Sequence, residues 1–284
     1  MKREFLKWLI FVGVVTCLQF FYVYVFFIEP NWIKTEHVTI VNAKLSKALS
    51  GLRVIQLSDL HIESLGKREI YLIEKINKLK PDVILITGDM LGDQASINAL
   101  FNTLSLLEPK FHTYAVSGES DGALSEIKDS QQWNRASASI IDGKAIHLNP
   151  GNVAGTGFWL IGAPSDQELT PLISTLSKDE PTILMSHHPD IVKQAAIKGI
   201  DLVLAGHTHG GQVGIPLLRR LFPYTQRSNY ISGLYRVRNT LLYVNRGLAS
   251  KKEIRFLCRP EITVFEFVAT GKAKTPKVLE QDTY

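Results

Sequence analysis

Cysteine is scarce in this 284-residue chain, which has only Cys17 and Cys258. Cys17 falls inside an apolar run near the start and Cys258 lies close to the end, so no disulfide within one folded domain is available. A core of ordinary size needs no such staple. No internal repeat and no low-complexity tract is present, which excludes solenoid and fibrous architectures. Charge is missing altogether from Leu9 to Ile28, a stretch rich in Phe, Val, Leu and Tyr. As a helix that stretch is long enough to cross a hydrocarbon core. No small-x-small cleavage site follows it. The chain continues Ile28-Glu29-Pro30-Asn31-Trp32, and the run exceeds a signal-peptide core, so it reads as an uncleaved anchor. Acidic residues are the other scarcity. From Gly214 to Pro260, Glu253 alone opposes Arg219, Arg220, Arg227, Arg236, Arg238, Arg246, Lys251, Lys252, Arg255 and Arg259, although the whole chain is only +5.

Lys2, Arg3 and Lys7 precede the apolar run, while Glu29, Lys34 and Glu36 follow it. The positive-inside bias then places the N-terminus in the cytoplasm and the remainder outside a bacterial inner membrane, with Trp8 and Trp32 as interfacial anchors. The expected division is an anchor and linker over 1–38 with its helix over 9–28, a globular domain over 39–270, and a loose polar tail over 271–284.

Short uncharged runs of Val, Ile and Leu read as buried strands, and several end in groups able to do chemistry. Leu202-Val203-Leu204-Ala205 runs into Gly206-His207-Thr208-His209. Val54-Ile55-Gln56-Leu57 runs into Ser58-Asp59-Leu60-His61, and Val83-Ile84-Leu85-Ile86-Thr87 into Gly88-Asp89. Thr182-Ile183-Leu184-Met185 runs into Ser186-His187-His188-Pro189-Asp190. In an open α/β sheet ligands bind at the strands' carboxyl ends. Carboxylates and imidazoles are the oxygen and nitrogen donors that suit Zn, Mn, Fe and similar divalent ions. One such strand end is a coincidence, but four in one domain point to a metal site.

Between these runs the pattern alternates strand and helix. A helix is expected over Arg68 to Lys80, with Ile70, Ile73, Ile76 and Leu79 on its apolar face and Pro81 as its stop. Another is expected over Ala95 to Leu107, then a strand over Phe111 to Val116 leading into the glycine loop Gly118-Glu119-Ser120-Asp121. Ile140 to Leu148, broken by Asp142-Gly143, reads as a hairpin. Phe158 to Ile161 reads as a strand, and a helix opens at Pro189 and closes at Gly199. Leu241 to Asn245 and Ile262 to Val268 read as the last strands.

Asp59-x-His61, Gly88-Asp89, Gly118-Glu119-Ser120-Asp121, His187 and Gly206-His207-Thr208-His209 together resemble the calcineurin-like metallophosphoesterases. The stretches Ser186 to Asp190, Gly210-Gly211-Gln212, and Asn245-Arg246-Gly247-Leu248 with Arg255 and Pro260-Glu261 look like the membrane-associated bacterial branch. The resemblance covers about Arg53 to Phe267. It implies a four-layer α/β/β/α sandwich carrying two divalent ions, Mn, Fe or Zn. It also implies that Asp59, His61 and His209 hold one ion, that Glu119, His187 and His207 hold the other, and that Asp89 bridges them. Asp59, Asp89, His207 and His188 would then sit at the reacting centre. The anchor supplies no ligand, so a chain beginning near Asn31 is expected to fold and to bind metal.

One motif departs from the family pattern. Where the family usually has Asn followed by His, this chain has Glu119 and Ser120. A Glu oxygen can replace an Asn oxygen, but three ligand carboxylates against two divalent ions leave about one net positive charge. A hydroxyl at Ser120 cannot serve as a general acid near neutral pH. The arginines have a bidentate fork suited to phosphate, which makes Arg246, Arg255, Arg219 and Arg220 candidate substrate contacts, and Ser120 joins them through its place in the altered motif. Basic residues beside Leu217, Leu218, Leu221, Phe222 and Tyr224 also suit a surface resting on anionic lipid. Nucleic acid fits less well, because an anchored domain meets membrane substrates first.

Two function classes remain open at this level. The first is a membrane-anchored dinuclear phosphohydrolase acting on a lipid-linked phosphate. Relatives of this branch cleave the pyrophosphate of UDP-2,3-diacylglucosamine in lipid A synthesis, which makes that lipid the leading substrate. It would require the domain to face the cytosol; an outward-facing domain suits a phosphodiesterase or phosphatase of the cell envelope. The second class is a non-catalytic metal-holding scaffold, supported only by the altered Glu119-Ser120 motif.

Overall fold

The computed structural model describes residues 2–149, 157–163, 168–174, 176–177, 179–215, 228–249, 254–269 and 279–280. The first sheet contains β1 (Lys34–Val41), β2 (Val54–Leu57), β3 (Val83–Thr87), β4 (His112–Val116), β5 (Ala138–Ile140) and a late strand. The second contains β6 (Lys144–Leu148), β7 (Phe158–Gly162), β8 (Thr182–Met185), β9 (Leu202–Ala205), β10 (Gly233–Val237) and β11 (Thr240–Val244). Then β12 (Glu261–Val268) returns to the first sheet, and β13 (Leu279–Glu280) joins the second. The sheet orders are β1-β12-β2-β3-β4-β5 and β13-β10-β11-β9-β8-β7-β6. Strands β2 to β5 are parallel, as are β7, β8, β9 and β11.

Side-chain alternation along each strand explains the layers. Val83 and Leu85 face the core between the sheets, while Ile84 and Ile86 face outward onto helices. On β9, Leu202 and Leu204 enter the inter-sheet core and Val203 and Ala205 the opposite one. Both faces of these strands are therefore dry, which is why they read as unbroken apolar runs. Outside the first sheet lie α3 (Lys67–Lys78), α4 (Ile97–Ser105) and α5 (Gln131–Arg135), after α1 (Lys2–Val23) and α2 (Ala43–Leu49). Outside the second lie α6 (Thr170–Ile173) and α7 (Val192–Lys198). The result is an α/β/β/α sandwich.

Several elements differ from the sequence reading. Strand β1 starts at Lys34, inside the expected linker, and pairs in parallel along β12. The expected hairpin over 140–148 is instead a crossing: β5 ends the first sheet and β6 edges the second, pairing antiparallel with β7. Within α3, Ile70 is exposed and Leu72 takes the buried position beside Ile73 and Ile76. Part of the expected tail, Leu279–Glu280, pairs with β10. The helix after Pro189 does close at Gly199, whose φ of 77° is the left-handed cap that glycine allows.

At the front, α1 continues through a π turn over Tyr24–Ile28 and a 3₁₀ turn over Glu29–Asn31. The combined helix, Lys2–Asn31, is long and apolar enough to cross a membrane. Its last turn packs into the globular domain, where Val25, Glu29 and Pro30 are buried.

Candidate metal centre

Five loops at strand carboxyl ends converge where the two sheets meet. They follow β2 (Asp59, His61), β3 (Asp89), β4 (Glu119), β8 (His187, His188) and β9 (His207, His209). Gln56 ties the sheets together, its Nε2 donating to Thr87 Oγ1 at 3.0 Å and to the Ala205 carbonyl at 2.9 Å. The peptide N–H groups of Leu248 and Ala249 donate to the carbonyls of Ser58 and Asp59. Sequence reasoning had no way to find these cross-sheet contacts, because they join residues far apart in the chain.

The backbone at the site is strained. Asp59, His61, Asp89, His207 and His209 have φ of 51°, 42°, 51°, 70° and 48°. The left-handed region costs a non-glycine residue roughly 1–2 kcal/mol. Hydrogen bonds hold the strained turns in place: Asp59 N to the Gly88 carbonyl at 2.9 Å, and His61 N to the Asp89 carbonyl at 3.0 Å. Gly88 has φ +89°, and a Cβ there would lie 2.5 Å from His187 Nδ1, so only glycine lets that ring approach.

The side chains form three overlapping groups whose candidate ligand atoms lie within 4.8 Å of one another. One is Asp59, His61 and His209, another is Glu119, His187 and His207, and Asp59, Asp89 and His187 join them. His187 Nε2 stands 3.0 Å from Glu119 Oε2, 3.5 Å from Asp89 Oδ2 and 4.0 Å from Asp59 Oδ1. His61 Nε2 lies 3.7 Å from Asp89 Oδ2, and His209 Nε2 lies 3.5 Å from Asp59 Oδ1. His187 Nδ1 is 2.8 Å from the Thr87 carbonyl, which fixes the ring and leaves Nε2 to the centre.

These residues fit divalent ions. Asp59 is fully buried, and its Oδ1 has no hydrogen-bond partner although ring nitrogens surround it. A buried carboxylate oxygen without a donor is costly, and a cation supplies what it lacks. The donor set is carboxylate and imidazole, without thiolate, as Mn, Fe and Zn accept. Burial pushes the His209 ring down to about 4 despite the Asp59 charge, so it is neutral and can ligate at neutral pH. Burial pushes His187 down too, but Asp89, Glu119 and Asp59 outweigh it and hold the ring well above its usual value. Burial raises the Asp89 carboxyl, and contacts with His187, Ser120 and His61 more than reverse that, keeping it ionised.

This electrostatic arrangement makes metal binding pH-dependent. In the metal-free protein His187 carries a proton throughout the range below its raised pKa, and an ion must displace that proton. Affinity should therefore rise with pH across the neutral range, with release of up to about one proton from this ring. Calorimetric titration with Mn in buffers of different ionisation enthalpy measures the release. Proton uptake on binding would contradict this electrostatic account.

The remaining candidate residues take other positions. His188 Nε2 contacts Glu119 Oε1, and its ring lies against that of His207, with centroids 3.8 Å apart. Ser120 N and Oγ both donate to Asp89 Oδ1, at 2.8 and 3.0 Å, so its hydroxyl proton is engaged by a candidate ligand. Arg255 is a correction. It is 1% exposed, and its guanidinium donates to the carbonyls of His209, Arg246, Gly247 and Ala249, so none of it reaches a substrate. Arg246 is likewise engaged, by Glu261 at 2.5 Å and Glu36 at 3.0 Å. Arg219 and Arg220 lie outside the described residues, as do Leu217, Leu218, Leu221, Phe222 and Tyr224. Arg236 and Arg238 sit towards the β10–β11 turn, at the strand ends away from the centre.

Asp121, which the loop motif contains but which has no expected role in the sequence, supports the site. Its Oδ1 accepts from Met90 N and Leu91 N, at 2.9 and 3.0 Å, and its Oδ2 accepts from Gly118 N at 2.9 Å. It thereby braces the loops of Asp89 and Glu119 against each other. An acidic residue three positions after a loop glycine, at the start of a helical turn, was the available signal.

Comparison with known proteins agrees with this geometry. The family model for calcineurin-like phosphoesterases matches residues 52–211. An uncharacterized metallophosphoesterase of Bacillus subtilis, YkuE, is 30% identical over 271 residues, covering 88% of this chain and 91% of its own. Phosphodiesterase YaeI of Escherichia coli is 29% identical, covering 86% and 92%. The UDP-2,3-diacylglucosamine pyrophosphatase LpxG of Chlamydia muridarum is 26% identical, covering 84% and 90%. With the strand-end ligand groups in place and a family match over more than half its length, the chain belongs to the calcineurin-like phosphoesterases and is a metal-dependent phosphoester hydrolase.

Proposed function

We propose that the chain is a membrane-anchored hydrolase whose substrate is a lipid-linked pyrophosphate, with UDP-2,3-diacylglucosamine as the leading candidate. The observation that carries the reading is the pair of ligand groups joined through Asp59, Asp89 and His187, set beside a Ser120 already bonded to Asp89. Two divalent ions bound there would activate a water and stabilise the attacking and leaving oxygens of an in-line displacement. The chain's own groups set the geometry: Asp89 faces both ligand groups, and Ser120 with Asp121 fixes the loop positions. No histidine stands at position 120 to protonate a leaving group. That arrangement favours a leaving group that needs no proton, as a pyrophosphate provides. The membrane-length helix and the likeness to LpxG support a lipid substrate.

A second reading is an envelope phosphodiesterase with another substrate. Lys2, Arg3 and Lys7 favour it, because the positive-inside bias argues for a domain outside the cytoplasm, whereas the first reading requires a domain facing the cytosol. The likeness to phosphodiesterase YaeI supports it too. Turnover separates the two. The full chain in detergent, supplied in turn with Mn, Fe and Zn, is expected to cleave UDP-2,3-diacylglucosamine faster than a glycerophosphodiester. The reverse order, together with an active C-terminal reporter outside the cytoplasm, would establish the second reading instead.

A further inference from the structure

The sequence treats the helix as a tether, but its last turn reaches the metal centre through one short segment. Glu29 has no exposed surface, an unusual place for a carboxylate at the end of an apolar helix. Its Oε2 accepts from Leu257 N at 2.9 Å and its Oε1 from Cys258 N at 2.5 Å. One turn earlier, the Val25 carbonyl accepts from Arg255 N at 3.1 Å. The Phe256 ring meets Phe21 and Tyr24 edge-on, with centroids 5.1 and 6.5 Å away. Residues 255–258 are thus clasped from the helix side.

The same residues hold a ligand loop from the other side. Arg255 Nη1 donates to the His209 carbonyl at 3.0 Å, and Cys258 Sγ lies 3.4 Å from that oxygen. Phe256 N donates to the Gln212 carbonyl, and Gly214 N donates to the Phe256 carbonyl at 2.7 Å. The His209 loop is a tight turn with positive φ at His209, Gly210 and Gln212, closed internally by Gly211 N donating to the Thr208 carbonyl at 2.8 Å and Gln212 N to the His209 carbonyl at 3.0 Å. The contacts from Arg255, Phe256 and Cys258 fix where that turn sits relative to the rest of the domain.

We propose that Glu29 is a positioning residue for the ion held by Asp59, His61 and His209, acting through residues 255–258 on the His209 loop. The proposal rests on the metal-centre reading above. It replaces the sequence expectation that cutting near Asn31 leaves metal binding intact, because such a cut removes Glu29 and Val25. A buried N–H left without its acceptor, or a buried carboxylate without its donors, forces local rearrangement. Here the rearrangement falls on the segment that carries Arg255 and Cys258. Loss of a group that orients a metal ligand weakens metal affinity about 10- to 100-fold.

The test is chelator competition on the full chain in detergent, counting ions per chain and their separate affinities for wild type, Glu29→Ala and Glu29→Gln. His209→Ala serves as the reference for loss of the first site. Glu29→Ala should weaken one ion about 10- to 100-fold, the same ion that His209→Ala loses, and leave the other unchanged. Glu29→Gln, which keeps one acceptor oxygen, should fall between and remains informative should the alanine variant not fold. Wild-type affinity for both ions in both Glu29 variants would overturn the proposal, as would equal weakening of both ions. A wild-type chain that binds no metal would instead overturn the metal-centre reading.

Discussion

Asp89→Asn is expected to lower turnover by about 10²–10⁴-fold and to reduce the metal content of both sites. The reason lies in which oxygen does what. Oδ1 accepts from Ser120 N and Oγ, while Oδ2 faces His61 and His187 at 3.7 and 3.5 Å. Asparagine would keep its carbonyl oxygen on the Ser120 donors and turn its NH₂ towards both ligand groups. A donor then stands where both ions need a lone pair, and the charge they share is gone. Breaking a buried charged interaction on one side costs about 3–5 kcal/mol, which corresponds to about 10²–10⁴ in rate. Glu119→Gln should cost much less. The Glu119 side chain is half exposed, its oxygens face His187, His188 and His207, and a Gln oxygen can still ligate. That change only moves the site towards the amide ligand usual in the family. Metal content and turnover of the two variants on one aryl phosphate decide it; equal losses would remove Asp89 from the shared position.

The parts of this fold that were legible in the sequence are those with both faces buried. Strands β2, β3, β8 and β9 have no solvent side, so their apolar runs were unbroken and their chemistry-bearing ends stood out. Strand β1 was lost because it edges the sheet: its Lys34, Thr35, Glu36 and His37 are polar, and it follows the anchor after only two residues. Asp142-Gly143 gave a true turn signal but not its destination. Asp142 Oδ1 accepts from Ser117 N, stabilising a passage between sheets where a hairpin was expected. The arginines misled for a related reason. Residue type shows that a guanidinium suits phosphate, but only the packing shows that Arg255 is occupied by four backbone carbonyls. The role of Glu29 was invisible because its partners are the backbone N–H groups of Leu257 and Cys258, far away in the chain, whereas Asp121 carried a local signal in its spacing from Gly118.

The second large effect concerns the leaving group. In-line attack on phosphorus expels an oxygen, and an alkoxide, whose conjugate acid resembles water with a pKa of about 16, leaves poorly unless it is protonated. A phosphate leaving from a pyrophosphate has a pKa of about 6 and departs unaided. A positioned general acid typically supplies 10²–10⁴-fold, about 3–5 kcal/mol. At position 120 the side chain is a hydroxyl, and its proton is already donated to Asp89 Oδ1. Aryl phosphates and pyrophosphates should therefore turn over about 10²–10⁴-fold faster than alkyl monoesters. Ser120→His should raise the alkyl rates selectively, because Ser120 N still holds Asp89 when the hydroxyl is lost. His188 is the other candidate acid. To act, its Nε2 must leave Glu119 Oε1 and its ring must move off His207. Rates for one aryl and one alkyl ester, in wild type and in His188→Ala, separate the possibilities. A steep leaving-group dependence that is the same in both proteins is the expected result. A shallow dependence in wild type that becomes steep in His188→Ala would make His188 the acid, with the contact to Glu119 as its resting position.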